Sequence, residues 1–151
     1  NHDGGKEQKR HTVDSVASCV GNGGRLTMFP EGTTHTESSV KRARSGAARI
    51  LLAARRKAQA SGKPLPQLVP IGLHYSESQT FRERAAVVVE RVMQFEPAPE
   101  LVEDEEEQDR LDRAWVTYVT DTIGIELKRA SLSKTTCPLY IFNAADELTH
   151  L

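Results

Sequence analysis

Phe29-Pro30-Glu31-Gly32-Thr33-Thr34-His35 is the stretch of this chain best equipped for chemistry. A carboxylate, a glycine, two hydroxyls and an imidazole follow one another directly behind a proline. Glu31 can accept a hydrogen bond from a ligand hydroxyl or fix a neighbouring base, and Gly32 lets the backbone approach a ligand closely. His35 either contacts that ligand or hydrogen-bonds to its own loop. A core strand has no use for such an ending. A turn that holds a polar ligand against backbone amides does, and open α/β sheets place ligands at strand ends of this kind.

The elements around the turn can be read from periodicity. Arg25-Leu26-Thr27-Met28-Phe29 is a short buried strand that ends at Pro30. Ahead of it, Asp14 to Val20 predicts a short helix, with Asp14 as cap, Thr12 as the alternative cap, and Gly21 and Gly23 as the stop. The residues before that helix are polar, with no apolar strand among them. Residues 30–44 form a long loop of hydroxyls and bases. Ser45 or Gly46 then opens a helix through about Ala60, with Ala47, Ile50, Leu51, Ala54 and Ala58 on its apolar stripe. Gly62 caps it, and Pro64 and Pro66 prevent its continuation.

Leu68 to Leu73 predicts a second buried strand, in which Pro70 argues for a strand end or an edge position. Residues 74–83 form a polar loop. A valine-rich third strand covers Ala85 to Phe95. A long helix follows from about Glu103 to Ala130, with Leu111, Trp115, Val119, Ile123 and Leu127 repeating every four residues. The tail holds a short apolar run, Leu139-Tyr140-Ile141-Phe142, and a final helix is expected from Ala144. Strands joined by a crossover helix predict an α/β fold with a mainly parallel sheet flanked by helices.

Composition restricts the function classes. The 151 residues suit one domain or a large piece of one. No run of about 18 apolar residues exists to span a bilayer, and no signal-peptide pattern opens the chain. Cys19 and Cys137 lack metal-ligand spacing and read as free thiols, with a disulfide as the alternative. The net charge of −1 conceals segregation. Between Ser38 and Ser76 there are eight bases and no acid; between Glu96 and Asp109 there are eight acids and no base. The first segment suits an anion, and the second reads as a solvated acidic linker. Lys41, Arg42 and Arg44 are either the solvated approach to a helix or phosphate ligands at its N-terminus. Arg49 through Lys57 are expected to face solvent or an anionic lipid surface. No aromatic residues interleave these bases, which argues against nucleic acid as a partner.

The ordered motifs resemble those of the PlsC-like glycerol-phosphate and lysophospholipid acyltransferase superfamily. Phe29-Pro30-Glu31-Gly32-Thr33-x-His35 is similar to its strand-end signature, and Val69-Pro70-Ile71-Gly72-Leu73 to its downstream strand. Arg44-Ser45-Gly46-Ala47-Ala48-Arg49-Ile50 resembles the opening of the intervening helix. Tyr75, Phe81-Arg82-x-Arg84 and the valine strand resemble the glycerol-3-phosphate acyltransferase-like branch. The resemblance covers about residues 14–95. Many relatives carry arginine where Thr34 stands. The family's His-x-x-x-x-Asp element is also missing, because no histidine here has an aspartate five positions on.

The resemblance implies that Glu31, Gly32, Thr33, Thr34, His35 and Arg44 bind the acceptor, and that the chain holds no catalytic residue and no metal site. The fold expected is glycerolipid acyltransferase-like, an incomplete domain with a long C-terminal helix. Residues 1–95 would be the C-terminal portion of the acyltransferase domain, 96–109 an acidic linker and 110–151 a helical extension. The full-length protein would be an O-acyltransferase of phospholipid biosynthesis. It would act on glycerol-3-phosphate or a lysophospholipid, with acyl-CoA or acyl carrier protein as co-substrate and no further cofactor. This chain alone would be inactive. It would work at a membrane surface on the cytoplasmic face, the endoplasmic reticulum or another lipid-synthesising membrane in a eukaryote, without a transmembrane segment of its own. The alternative is a non-catalytic anion- or membrane-binding module derived from the same fold.

Overall fold

The computed structural model describes residues 3–33, 41–75, 85–131 and 136–144. Helix α1 spans Asp3–Gly21, strand β1 Leu26–Met28 and helix α2 Gly46–Ala60. Strands β2 (Pro66–Tyr75) and β3 (Ala85–Val89) follow, then helix α3 (Glu105–Ser131) and strand β4 (Thr136–Ala144). Among the described residues, no helix is long and apolar enough to cross a membrane.

The α2 boundaries agree with the sequence because both ends carry local signals. Gly62 sits at φ 63°, the left-handed conformation that glycine adopts without strain. The Lys63 N–H then donates to the Ala58 carbonyl and the Gly62 N–H to the Gln59 carbonyl, the paired bonds of a Schellman stop. Helix α1 begins eleven residues before the expected Asp14 start. Its first half has no apolar period, yet Lys6, Glu7, Gln8, Lys9 and Arg10 are good helix formers. Asp14 and Thr12 are therefore interior positions rather than caps, and the Thr12 hydroxyl donates to the Gln8 carbonyl one turn back. Gly21 belongs to the helix, where a Cβ would lie 2.9 Å from the Ala54 carbonyl oxygen. A glycine there lets α1 press against α2.

The sheet corrects the expectation of mainly parallel strands. Its order is β1-β4-β2-β3, and every pairing is antiparallel. Strands β1 and β2 do run in the same direction, as a crossover through α2 requires. Strand β4 occupies the slot between them, with Thr27 opposite Ile141 and Val69 opposite Ile141 on its other side. The tail run 139–142 is thus a central strand. The final helix expected from Ala144 falls on residues beyond 144, outside the described residues.

Pro70 is likewise neither at a strand end nor on an edge strand. Successive residues of a strand direct their N–H and C=O groups to opposite neighbours. Glu90 donates its N–H to the Pro70 carbonyl, so Pro70 faces β3, where β3 has just ended. The donor that proline lacks is therefore not needed by β4. The third strand is shorter than expected, ending at Val89, with an isolated pairing of Met93 to Leu68 beyond it.

One core joins the three helices to β2. Ala17 and Val20 of α1, Leu51 and Ala54 of α2, Leu68 of β2, and Trp115, Val119, Ile123 and Leu127 of α3 are buried together. The predicted α3 stripe packs inward, apart from Leu111, which is half-buried. Asp104 caps α3 by accepting from the Glu106 N–H, and the acids of the first turn favour the helix dipole.

The bases of α2 do not form the outward-facing surface expected of them. Only Arg49 is exposed. Arg56 makes a bidentate pair with Asp112 of α3, both bonds 2.6 Å. Lys57 donates to the Ser18 hydroxyl of α1 at 2.7 Å. Arg55 donates to the Pro66 carbonyl and lies 5.8 and 5.9 Å from the ring centres of Phe95 and Trp115. Burial lowers the Arg55 pKa from its ordinary value.

Candidate functional site

The Phe29–Gly32 segment closes a tight turn directly behind β1, with the Gly32 N–H donating to the Phe29 carbonyl at 3.1 Å. Proline at the second position and glycine at the fourth are residues that such turns favour. Gly32 adopts φ 63°. A Cβ at this position would also lie 2.8 Å from Arg44 Cδ and 3.1 Å from its Nε. Two independent constraints therefore require glycine here: the backbone conformation and the side chain laid across it.

Arg44 is held against the turn at two points. Its backbone N–H donates to the Pro30 carbonyl at 2.8 Å, and its Nε–H to the Glu31 carbonyl at 3.1 Å. The terminal guanidinium nitrogens take no partner among the described residues. Arg44 thus presents the outer edge of its fork from a fixed stem, the form in which arginine binds carboxylate or phosphate.

Glu31 is only 6% exposed. Its Oε2 accepts the Lys41 backbone N–H at 2.8 Å. The carboxylate therefore fastens the far end of the loop to the turn, and so brings residues 41–45 alongside it. Thr33 is exposed. Thr34 and His35 lie outside the described residues, as do Phe81, Arg82 and Arg84. Among the described residues no cluster of histidine, cysteine or acids could hold a metal ion.

Beyond Arg44 the chain enters α2 through Ser45, whose hydroxyl makes no capping bond. A cavity of about 270 Å³ opens beside it, lined by Arg42, Ala43 and Ser45 on one side and Val116, Thr117, Thr120 and Asp121 on the other. The second wall belongs to α3. Nothing in the sequence pairs these two stretches; only the packing of α3 against α2 does.

Residues 3–73 match the family model described as Acyltransferase. The match contains the Glu31–Gly32 turn, Arg44 and the Val69–Leu73 strand, and stops before β3 and α3. No curated protein and no solved structure matches the chain. Over residues 3–73, which include the strand-end turn, this chain is therefore similar to the acyltransferase family, in agreement with the PlsC-like resemblance of its motifs.

Proposed function

We propose that the protein supplies the acceptor-binding part of an O-acyltransferase of phospholipid synthesis. The acceptor is glycerol-3-phosphate or a lysophospholipid, and the donor is acyl-CoA or an acyl carrier protein thioester. The acceptor hydroxyl oxygen bonds to the acyl carbon, the carbon–sulfur bond breaks, and the free thiol leaves with the proton. In the family a histidine oriented by an aspartate takes that proton first. No histidine of this sequence has the matching aspartate, so these residues bind and orient the acceptor and do not move its proton.

One observation carries the reading. Arg44 is pinned through its backbone N–H and Nε to the Pro30-Glu31-Gly32 turn, with its terminal nitrogens left over. A guanidinium immobilised in this way has already lost much of the freedom that phosphate binding would remove. The reading extends to Thr34 and His35 as further acceptor ligands, and to work at a membrane's cytoplasmic face, where lysophospholipid acceptors reside.

Calorimetric titration with sn-glycerol 3-phosphate tests it. Saturable binding is expected, and Arg44→Ala should weaken it by about tenfold or more, the value of a charge-assisted pair. No binding, or equal binding by the variant, contradicts the proposal. The chain by itself is expected to transfer no acyl group from acyl-CoA; turnover above background would show that the proton acceptor is present after all.

A further inference from the structure

We infer that the cavity between Arg42–Ser45 and α3 is a subsite for a polyol phosphate. Its first wall receives the phosphate, and Asp121, Thr117 and Thr120 receive the hydroxyls. This rests on the acceptor-binding reading above and adds to it a helix that lies wholly outside the family match.

The two walls have opposite hydrogen-bonding character. On the α2 side stand Arg42, whose guanidinium can only donate, and Ser45, whose hydroxyl makes no capping bond. Ser45 also heads the first turn of α2, whose N–H groups have no acceptor within the helix. On the α3 side the protons are already committed. The Thr117 hydroxyl donates to the Arg113 carbonyl at 2.8 Å and the Thr120 hydroxyl to the Val116 carbonyl at 2.6 Å. Both oxygens therefore have only lone pairs left for a ligand, as does the Asp121 carboxylate. Thr120 is only 9% exposed, the most buried of these three α3 residues.

Arg42 and Asp121 line the same cavity and form no ion pair with each other. Neither side chain has an ion-pair or hydrogen-bond partner among the described residues. A ligand that bridges them needs an anionic acceptor group at one end and neutral or cationic donors at the other. The cavity is smaller than the roughly 300–1,000 Å³ of pockets that enclose drug-sized ligands. Its volume suits a glycerol-phosphate headgroup. Arg42 and Arg44 flank Ala43, so the subsite adjoins the turn.

Titrations of the full chain and three variants with sn-glycerol 3-phosphate, inorganic phosphate and phosphoethanolamine test the inference. Circular dichroism would check that each variant remains folded. Asp121→Ala should weaken glycerol 3-phosphate by about tenfold and leave inorganic phosphate unchanged or tighter, since only a hydroxyl acceptor and a like charge are lost. Arg42→Ala should weaken both. If Asp121→Ala leaves glycerol 3-phosphate untouched while Arg44→Ala still weakens it, the subsite is overturned and the acceptor-binding reading stands. If wild-type protein binds no glycerol 3-phosphate, that reading fails first. Tighter binding of phosphoethanolamine than of glycerol 3-phosphate overturns the assignment of the α3 wall to hydroxyls.

Discussion

Gly32 and Glu31 contribute to the site by shaping it. Gly32→Ala would place a methyl group 2.8 Å from Arg44 Cδ on a backbone at φ 63°. The strain of a left-handed non-glycine residue costs about 1–3 kcal/mol, and Arg44 must also swing away. Urea denaturation should report the first effect and glycerol 3-phosphate titration the second; an unchanged affinity would mean that Arg44 need not lie on the turn. Glu31→Ala removes the acceptor of the Lys41 N–H and should cost about 1–3 kcal/mol, whereas Glu31→Gln should retain most of the stability. Equal losses from both variants would point to a role for the negative charge itself. The sequence identified this turn because its residue types are unusual behind a strand. It could not show that Glu31 turns inward, because one of its partners is a backbone N–H ten residues on, and any residue but proline has one.

Among the elements, α2 is tied to its neighbours by its own bases. The Arg56–Asp112 pair joins it to α3, with both side chains about a quarter exposed. Burial alone would raise the Asp112 pKa. Hydrogen bonds from Arg56 and Gln108, together with the Arg56 charge, hold it below the ordinary value instead. A carboxyl depressed in the folded state adds stability above its unfolded pKa of about 3.9 and loses it as pH falls through the lower folded pKa. Wild-type stability should therefore drop as the pH is taken below about 4. Asp112→Asn should lack that part of the decline. Parallel pH profiles for the two proteins, followed by denaturant unfolding, would contradict the assignment. Near neutral pH, Arg56→Met should cost about 1.5–3 kcal/mol, the value of a hydrogen bond to a charged group. The extent of α2 was legible because its apolar stripe, Gly62 and Pro64 agree. The partners of its bases were not, since Ser18 and Asp112 lie at large sequence separations and helical periodicity says nothing of which element packs where.

At the scale of the whole molecule, β4 decides how the turn is presented. Strands β1 and β2 keep the common direction expected of a strand–helix–strand unit, yet they do not pair with each other. The crossover was legible from the order of elements. The inserted strand was not, because the run 139–142 follows a long helix and carries no local sign of its pairing with residues 26–28 and 66–74. A chain ended at Ser131 would lose the central strand and both of its ladders. Hydrogen exchange should then show lost protection for the amides of Leu26–Met28 and for the β4-facing amides of β2, and glycerol 3-phosphate affinity should fall with them. Retained protection at Leu26–Met28 would mean that β1 is held by something other than β4.

The central claim is that the strand-end turn, Arg44 and the adjoining loop bind a phosphate-bearing acceptor. Amide chemical-shift mapping of the labelled chain during titration with sn-glycerol 3-phosphate tests it most directly. Saturable shifts are predicted at Glu31, Gly32 and Thr33, at Lys41 to Gly46, and at Thr117 to Asp121 of α3. Shifts absent from the turn and loop, or concentrated elsewhere such as Leu101 to Arg113, would contradict it.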